Sequence, residues 1–405
     1  MTLAKAVKSK NIVKSSQIID GYIIIENGEI SKISKDEVPE NFDGEILNVG
    51  KSFVLPGLID LHIHGAGGWR AGYEDEKMAE FLAYNGITSY YPTLGTVEKE
   101  EFIDSLSNIE SLINEQDIKS SEKNITSEIL GIHMEGPFLS KEEKGAMPEE
   151  YLLESSINIM EEFESHSNNI ARVTVAPEKK NSLELIKYLR EKGYIVAGGH
   201  TDSSYEEIEA GIDAGITIAN HMYNAMRGLH HRRPGTVGGY LTDDRVTCEI
   251  IGDLIHVHPA VIDLTLRAKG LDNVYLISDS ILAAGLPAGK YSFAGREITI
   301  DKKGVSRLSD GTIAGSTMLL SISIVNLIKN LDLKMPQIAK LAAENPAKTA
   351  GVFDKKGSIA QGKDADLIVL DKDYNLEYSF IKGNMVNSPE REIEKLINSS
   401  LHISQ

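Results

Sequence analysis

The hydrophobic and polar residues of this chain alternate in two different ways along its length. In residues 13–54 the apolar residues come in short strand-like runs, of which Ile23-Ile24-Ile25 is the clearest. Asn27-Gly28 separates two of these runs, and this pair is typical of a type I′ hairpin turn, in which both residues take a positive φ. A small β-rich module therefore opens the chain.

From Leu58 onward, apolar strands alternate with amphipathic helices. Helical spacing of apolar residues is clear at 75–85, 97–115, 182–192 and 204–214. The predicted strands are residues 58–64, 88–93, 127–134, 171–176, 195–200, 216–222, 246–252 and 274–279. Eight strands alternating with helices are typical of an α/β TIM barrel, whose active sites lie at the C-terminal ends of the strands. We therefore predict a (β/α)8 barrel over residues 57–350.

The segments after the eighth strand return to β-structure in two places. Residues 290–315 predict a β-hairpin flap, in which Ile298 and Ile300 alternate and Asp310-Gly311 forms a turn. Helices are predicted at 317–331, at 335–343 and after Pro346, and residues 357–386 read as short strands again.

The two β-rich ends of the chain lie on either side of the predicted barrel. We therefore expect residues 1–56 and 351–388 to build one small β-sandwich domain together. Residues 389–405 predict a charged helical tail without an assigned role.

Composition excludes several classes of partner. The chain has 405 residues and a formal net charge of −18, so its surface does not suit nucleic acid or an anionic membrane, which require positive charge. No apolar run approaches the ~20 residues of a membrane span, and the first residues lack the apolar segment of a signal peptide. Cys248 is the only cysteine, so no intrachain disulfide is possible. We expect a cytoplasmic protein.

Two histidines lie at the end of the first predicted barrel strand, in P-G-L-I-D-L-H-I-H-G-A-G-G. Alternate residues of a strand share a face, so His62 and His64 point the same way, with Asp60 behind them. Their two nitrogens could share a metal ion. We expect the glycines at 65, 67 and 68 to leave room above the site for a substrate.

Other residues of metal-binding types follow the ends of other predicted strands. They are Glu135 in H-M-E-G-P-F, His200 in G-G-H-T-D, His221 in A-N-H-M-Y-N-A-M and Asp279 in L-I-S-D-S. Each one alone has an ordinary explanation as a buried, hydrogen-bonded histidine or a helix N-cap. Together with the histidine pair they supply the imidazoles and carboxylates that Zn²⁺ prefers, and Fe²⁺ is also suited to them. The sequence therefore predicts a divalent-metal site at the barrel mouth.

A basic cluster stands out in this acidic chain. Its members are Arg227, His230, His231, Arg232 and Arg233. Cations held against the overall charge indicate a bound anion, most simply a phosphate or carboxylate of the substrate, and a solvated loop is the alternative. His256, in G-D-L-I-H-V-H-P, is a further candidate near the end of the seventh strand.

These motifs resemble the amidohydrolase superfamily, and within it the group of N-acetylglucosamine-6-phosphate deacetylases. The resemblance covers nearly the whole chain and includes H-x-E-G-P-F, G-H-T, N-H-x-Y-N-A-M, E-N-P-A and G-x-D-A-D-L-I-V-L-D. H-x-E-G-P-F together with N-H-x-Y-N-A-M is specific to the deacetylase group, whereas H-x-H alone indicates only the superfamily. The resemblance implies metal-dependent hydrolysis of N-acetylglucosamine 6-phosphate to glucosamine 6-phosphate and acetate, by a homodimer.

The resemblance also implies roles for the residues that could hold metal. Glu135, His200 and His221 match the principal metal ligands, and His62 and His64 match a pair that holds a second ion. Because both histidines of that pair are present, we expect two ions bridged by Glu135. Asp279 matches a position that contacts the metal and acts as the general acid/base.

A further set of residues matches positions that contact the substrate. Asn224, Ala225 and Arg232 match residues that bind the sugar phosphate. His256 matches another phosphate contact, which in the family can come from the neighbouring subunit. The same substrate-binding set includes Ala146 and a loop over the sugar formed by Ala314, Gly315 and Ser316.

Met147, in K-G-A-M-P, departs from the family pattern. Several members carry a histidine there that polarises the amide carbonyl, and a thioether donates no hydrogen bond. Either the second metal supplies that polarisation, or this branch is slower or takes a different substrate.

Two other functions stay open. One is a hydrolase of N-acetylgalactosamine 6-phosphate, of another N-acyl sugar phosphate or of a cyclic amide, and the other is a non-catalytic, metal-free scaffold.

Overall fold

The computed structural model describes residues 5–119, 125–293 and 296–386, and it begins with a mixed β-sheet. The strands of this part are β1 (Lys5–Val13), β2 (Ile18–Glu26), β3 (Glu29–Ser34), β4 (Glu45–Asn48) and β5 (Phe53–Pro56). Strands β2 and β3 are antiparallel, and the turn between them has φ values of 52° at Asn27 and 85° at Gly28. The hairpin that the sequence predicted at this pair is confirmed.

A parallel barrel follows. Its segment contains β6 (Leu58–Ile63), β7 (Gly65–Ala66), β8 (Trp69–Arg70), β9 (Ile87–Gly95), β10 (Glu128–Ile129), β11 (Ile132–Glu135), β12 (Ile170–Val175), β13 (Ile195–Gly198), β14 (Ile218–Ala219), β15 (Thr247–Ile251) and β16 (Val274–Ile277). The barrel runs β6-β9-β11-β12-β13-β14-β15-β16, and a parallel bridge from Ile63 to Ser280 brings its first and last strands together. The predicted eight-stranded (β/α)8 barrel is confirmed.

Helices alternate with these strands and continue after them. They are α1 (Asp75–Tyr84), α2 (Lys99–Lys119), α3 (Ile157–Glu164), α4 (Ser182–Lys192), α5 (Tyr205–Ala214), α6 (Gly235–Thr242), α7 (Pro259–Lys269), α8 (Leu320–Asn330), α9 (Met335–Ala339) and α10 (Asn345–Thr349), with short 3-10 turns at Glu149–Tyr151 and Leu271–Asn273. Helix α5 begins after Ser204, which forms a capping box with Glu207. Within the described ranges, no helix combines the length and the apolar character that crossing a membrane requires.

The last helices differ from their prediction. A π-helical turn, Lys340–Glu344, joins α9 directly to α10, so residues 335–349 form one continuous helical stretch rather than two separate helices. Pro346 lies in the first turn of α10, where its missing N–H and fixed φ are tolerated. Proline therefore does not mark a break here.

The predicted flap is a small antiparallel sheet. Strands β17 (Gly289–Phe293), β18 (Arg296–Ile300) and β19 (Ser306–Leu308) pair in sequence order, so the flap has three strands instead of the two of a hairpin. Ile298 and Ile300 are buried on its inner face, as their alternation predicted.

The two ends of the chain meet in one sheet. Strands β20 (Leu367–Leu370), β21 (Leu376–Ile381) and β22 (Asn384–Val386) extend the first sheet through antiparallel pairing of β20 with β5. The resulting sheet has eight strands in the order β22-β21-β20-β5-β1-β2-β3, with β4 beside β1. An apolar cluster with members from both ends, among them Ile23 and Leu367, lies against it. These contacts support our proposal of a small β domain, whose boundaries at 56 and 351 stay a prediction. The predicted tail, residues 389–405, lies outside the described residues.

Candidate active site

Six of the predicted site residues converge at the C-terminal ends of the barrel strands. Strand β6 carries His62 and leads into His64, and Glu135 ends β11. His200, His221 and Asp279 lie just beyond β13, β14 and β16. They form two groups, His62 with His64 and Asp279, and Glu135 with His200 and His221, and within each group the potential ligand atoms lie no more than 4.8 Å apart. Residues spread over more than two hundred positions thus meet at one site.

Glu135 belongs to the second group and also contacts both histidines of the first. Its Oε1 is 2.9 Å from His221 Nε2 and 3.4 Å from His200 Nε2, and the same oxygen is 3.2 Å from His62 Nε2. Its Oε2 is 3.1 Å from His64 Nε2. One carboxylate therefore contacts a ligand atom of every histidine in the site, which is the placement that a bridging ligand requires.

The donor atoms fit a divalent metal better than they fit one another. The Nε2 atom of His62 is buried and has no hydrogen-bond partner. The Nε2 atoms of His200 and His221 face each other at 3.1 Å, an arrangement in which only one of the two can donate. Buried polar atoms are normally satisfied, so an unpartnered nitrogen aimed into a cluster of carboxylates indicates an ion. Imidazole nitrogen and carboxylate oxygen are ligands of Zn²⁺ and also of Fe²⁺.

The electrostatics of the site also favour a cation. Burial lowers the pKa of His62, but the charges of Glu135 and Asp279 outweigh this and raise that pKa to about 10. The pKa of His64 is raised to about 9 against the effect of burial, by hydrogen bonds to the same two carboxylates. Burial also opposes ionisation of Glu135, yet the adjacent imidazoles hold its pKa well below the usual range. Buried negative charge that attracts protons this strongly would attract a divalent ion as well.

Three of the six residues have a strained backbone. His200, His221 and Asp279 have φ values of 47°, 27° and 50°, in the left-handed region that residues other than glycine seldom adopt. Each such residue costs on the order of 1–3 kcal/mol, and such strain clusters at functional sites. Here it occurs where three strands end and their side chains must reach a common point.

All of the six residues except His62 line a cavity of ≈ 560 Å³. Pockets for small molecules have volumes of roughly 300–1,000 Å³, so a monosaccharide phosphate is of suitable size. Five of the predicted substrate-binding residues line it: Ala146, Asn224, Ala225, His256 and Gly315. The flap contributes Phe293 and Thr312 to the wall.

Three predicted substrate-binding residues lie outside this lining. Ala314 is fully buried under the flap, and the Ser316 hydroxyl is turned towards Asp253, at 2.9 Å. Arg232 is exposed and donates to His231 Nε2 at 2.7 Å. The loop over the sugar therefore contributes Gly315 to the cavity wall, and Arg232 is not within the cavity of its own chain.

Met147 lies beside His64 at the edge of the cavity. A Cβ atom placed on Gly95 would be 3.1 Å from Met147 Cε and 3.6 Å from His64 Cε1. The Met147 sulfur accepts a hydrogen bond from the Thr96 backbone N–H at 3.3 Å, which fixes the side chain. The side chain at this position is thus an acceptor, and it offers no donor to a substrate carbonyl.

Gly65 and Gly67 do not leave the room above the site that we expected of them. A Cβ atom on Gly65 would lie 2.5 Å from the Trp69 carbonyl oxygen, and one on Gly67 would lie 2.7 Å from the Trp69 ring. Both glycines permit close packing of β7 against β8 instead of clearing a path for substrate. The lining of the cavity includes neither of them.

Sequence reasoning missed a buried polar layer beneath the site. Asn220 donates to Glu135 Oε1 at 2.8 Å, and Glu249 Oε2 lies 3.3 Å from His62 Nδ1. Arg172, whose side chain is fully buried, contacts both Asn220 and Glu249. A charged residue inside each of two apolar strands, in A-R-V-T-V-A and T-C-E-I-I, was the signal that could have revealed them.

Comparison with known proteins gives consistent matches. The family model described as "Amidohydrolase family" matches residues 53–387. The N-acetylglucosamine-6-phosphate deacetylase of Bacillus subtilis (strain 168) is 35% identical over 389 residues, which are 94% of this chain and 96% of that protein. The N-acetylgalactosamine-6-phosphate deacetylase of Escherichia coli O157:H7 is 32% identical over 339 residues, covering 82% of this chain and 88% of that protein.

The fold also matches solved structures. One is a mutant N-acetyl-D-glucosamine-6-phosphate deacetylase from Mycobacterium smegmatis in complex with N-acetyl-D-glucosamine-6-phosphate. It superposes with a TM-score of 0.86 and 28% sequence identity, covering 95% of this chain and 99% of that one.

Proposed function

The chain belongs to the amidohydrolase family, and we propose that it hydrolyses N-acetylglucosamine 6-phosphate to glucosamine 6-phosphate and acetate. The observation that carries this proposal is the position of Glu135, which contacts all four histidines of the two potential ligand groups and lines a monosaccharide-sized cavity. Relatives named as deacetylases of this substrate match nearly the full chain. The complete set of potential ligands also favours a hydrolase over the metal-free scaffold that the sequence left open.

The chain would hold two divalent ions in this proposal. Glu135, His200 and His221 would hold one, His62 and His64 with Asp279 the other, and Zn²⁺ or Fe²⁺ suits this mixture of nitrogen and oxygen donors. When bound, such an ion lowers the pKa of water from about 15.7 towards 7 and polarises a carbonyl.

Asp279 would move the proton of the reaction in this proposal. Burial raises its pKa, but the neighbouring imidazoles of His62 and His64 outweigh burial and lower it, so the carboxylate is ionised at neutral pH. It would accept the proton of the attacking water and deliver it to the amine nitrogen, which otherwise leaves poorly. Asp279 lines the same cavity as Asn224 and His256, which would orient the sugar.

The phosphate would orient the substrate from a distance. Binding energy gained away from the reacting bond can hold the amide in place for attack. His256 would provide that contact from within the cavity. Arg232 lies outside the cavity of its own chain, so we propose that it reaches the phosphate of a substrate in the other subunit of a homodimer.

The substrate also bears on location. A sugar phosphate is a charged metabolite that does not cross a membrane unaided, because an ion is costly to transfer into an apolar medium. We therefore propose that the protein acts in the cytoplasm.

The test is turnover of N-acetylglucosamine 6-phosphate beside metal analysis of the same preparation. The galactosamine epimer is the matched comparison, because one relative is named for that substrate. We expect faster turnover of the glucosamine compound by protein that contains metal. Faster turnover of the epimer would identify the protein as an N-acetylgalactosamine-6-phosphate deacetylase instead. Metal-containing protein that is inactive on both substrates would overturn the proposed function.

A further inference from the structure

A buried ion pair lies in the barrel directly beneath the proposed metal site. Arg172, on β12, pairs with Glu249, on β15, and neither side chain is accessible to solvent. Removing two charges from water costs several kcal/mol per ion, and buried ion pairs often contribute no net stability relative to apolar residues. Stability alone therefore does not account for this pair.

Glu249 connects the ion pair to the candidate ligand His62. Its Oε2 lies 3.3 Å from His62 Nδ1 and also accepts the backbone N–H of His221 at 3.1 Å. Its Oε1 accepts the Tyr275 hydroxyl at 2.8 Å and contacts Arg172. A carboxylate can only accept here, so His62 donates through Nδ1, and Nε2 is the nitrogen left to bind a metal ion in place of a proton.

Arg172 also orients a residue of the other ligand group, Glu135, through Asn220. Its Nη2 donates to Asn220 Oδ1 at 2.6 Å, which fixes the direction of that amide. The Asn220 Nδ2 therefore points at Glu135 Oε1 and donates to it at 2.8 Å. One guanidinium thus orients the bridging carboxylate on one side and, through Glu249, an imidazole on the other.

We propose that Glu249, held by Arg172, is a positioning residue that sets the tautomer of His62 and thereby the affinity of the His62, His64 and Asp279 group for its ion. This inference rests on the proposed function, since it assumes that the site holds metal. Glu249 touches neither substrate nor ion in this arrangement and acts only through His62.

Glu249→Gln is the direct test, because it preserves the shape of the side chain and removes the charge. The glutamine would be free to turn its N–H towards His62 Nδ1, and the imidazole would then carry its proton on Nε2, where no metal could bind. Removing such a carboxylate partner typically weakens metal binding by roughly 10- to 100-fold. We expect this loss chiefly for the ion of the His62, His64 and Asp279 group, measured by competition with a chelator, together with a changed visible spectrum of the Co²⁺-substituted protein. A smaller change at the other ion is expected, because the same Glu249 oxygen accepts the His221 backbone N–H.

Glu128→Gln is the matched control. Glu128 also pairs with a buried lysine, since its Oε2 lies 2.6 Å from Nζ of Lys356. It forms a second ion pair with Lys382. It should leave both metal affinities and the Co²⁺ spectrum unchanged. A purely structural role of Glu249 would lower the melting temperature of its variant without changing either metal readout.

Glu249→Asp is measured in parallel, because it keeps the charge that Arg172 needs and is the variant to rely on if the glutamine variant does not fold. It withdraws the carboxylate from His62 and should weaken the same ion. Wild-type affinities in a folded Glu249 variant would overturn the inference while leaving the proposed function intact. Wild-type protein that binds no metal would overturn both.

Discussion

His256 donates a hydrogen bond from Nδ1 to Oδ2 of Asp253 at 2.7 Å. The same oxygen accepts the Ser316 hydroxyl at 2.9 Å, so the carboxylate is fixed from two sides. Burial lowers the pKa of His256, but the hydrogen bond and charge of Asp253, with a contribution from Asp279, outweigh burial and raise it above 6.5. Asp253 therefore favours the protonated form of His256, the form that would bind a phosphate dianion.

The pair of His256 and Asp253 predicts that the affinity for the phosphorylated substrate depends on pH. Protonated His256 contributes fully below pH 6.5, and its contribution is lost as the pH rises through the raised pKa. We expect KM for the phosphorylated substrate to rise over that interval. Asp253→Asn should move the rise to lower pH, because it removes the charge that favours the imidazolium.

Steady-state kinetics against pH would test this prediction, with the unphosphorylated sugar as the control substrate. Its KM should not follow the titration of His256. Identical pH profiles for wild-type protein and Asp253→Asn would show that the pair does not govern phosphate binding.

Asp279→Asn should abolish most turnover while preserving the fold. The amide cannot accept the proton of the attacking water, and losing a general acid/base typically costs roughly 10²- to 10⁴-fold. The measurement is kcat at saturating substrate, with metal content and melting temperature determined on the same sample. Near-normal turnover would remove Asp279 from the proton-transfer role.

Arg232→Ala should impair use of the phosphorylated substrate far more than use of the unphosphorylated sugar. Arg233→Ala is the matched control, because it removes a neighbouring arginine of the same loop. An equal loss on both substrates would argue against a phosphate contact.

Mixing two variants decides whether Arg232 acts across subunits. Arg232→Ala and Asp279→Asn subunits, dissociated and reassociated together, would form hybrid dimers in which one site combines Asp279 with the partner's intact loop. We expect activity to reappear on mixing. If mixing the two variants restores no activity, either Arg232 acts in the active site of its own chain or the protein is not a dimer.

Removal of metal should abolish activity. Without an ion, the unpartnered Nε2 of His62 and the facing imidazoles of His200 and His221 have no metal to bind. The attacking water then keeps its ordinary pKa. Dialysis against a chelator followed by elemental analysis would establish the metal-free state, and added Zn²⁺ or Fe²⁺ should restore turnover. Full activity in verified metal-free protein would contradict the mechanism.

Local patterns were enough to predict the barrel and the residues around its mouth. Strand periodicity placed His62 and His64 on one face. A histidine or a carboxylate also followed the C-terminal end of several other strands, and parallel strands bring these ends together. These features depend on neighbours in sequence and on the known geometry of strands.

The remaining features depended on contacts between distant strands. Arg172 and Glu249 are 77 residues apart, and each looked merely out of place in an apolar strand. Arg232 shared a charge pattern with Arg227, yet Arg227 is held by Asp202 while Arg232 stays exposed outside the cavity. The closeness of Gly65 to Trp69 was equally invisible in the motif.

The order of residues thus specified which chemical groups stand at the barrel mouth, because backbone periodicity is a local property. Folding in three dimensions specified which of those groups touch, that Nδ1 of His62 faces Glu249 and that Arg232 lies outside the cavity. Those outcomes follow from distance and burial, and both arise only when strands far apart in the chain pack side by side.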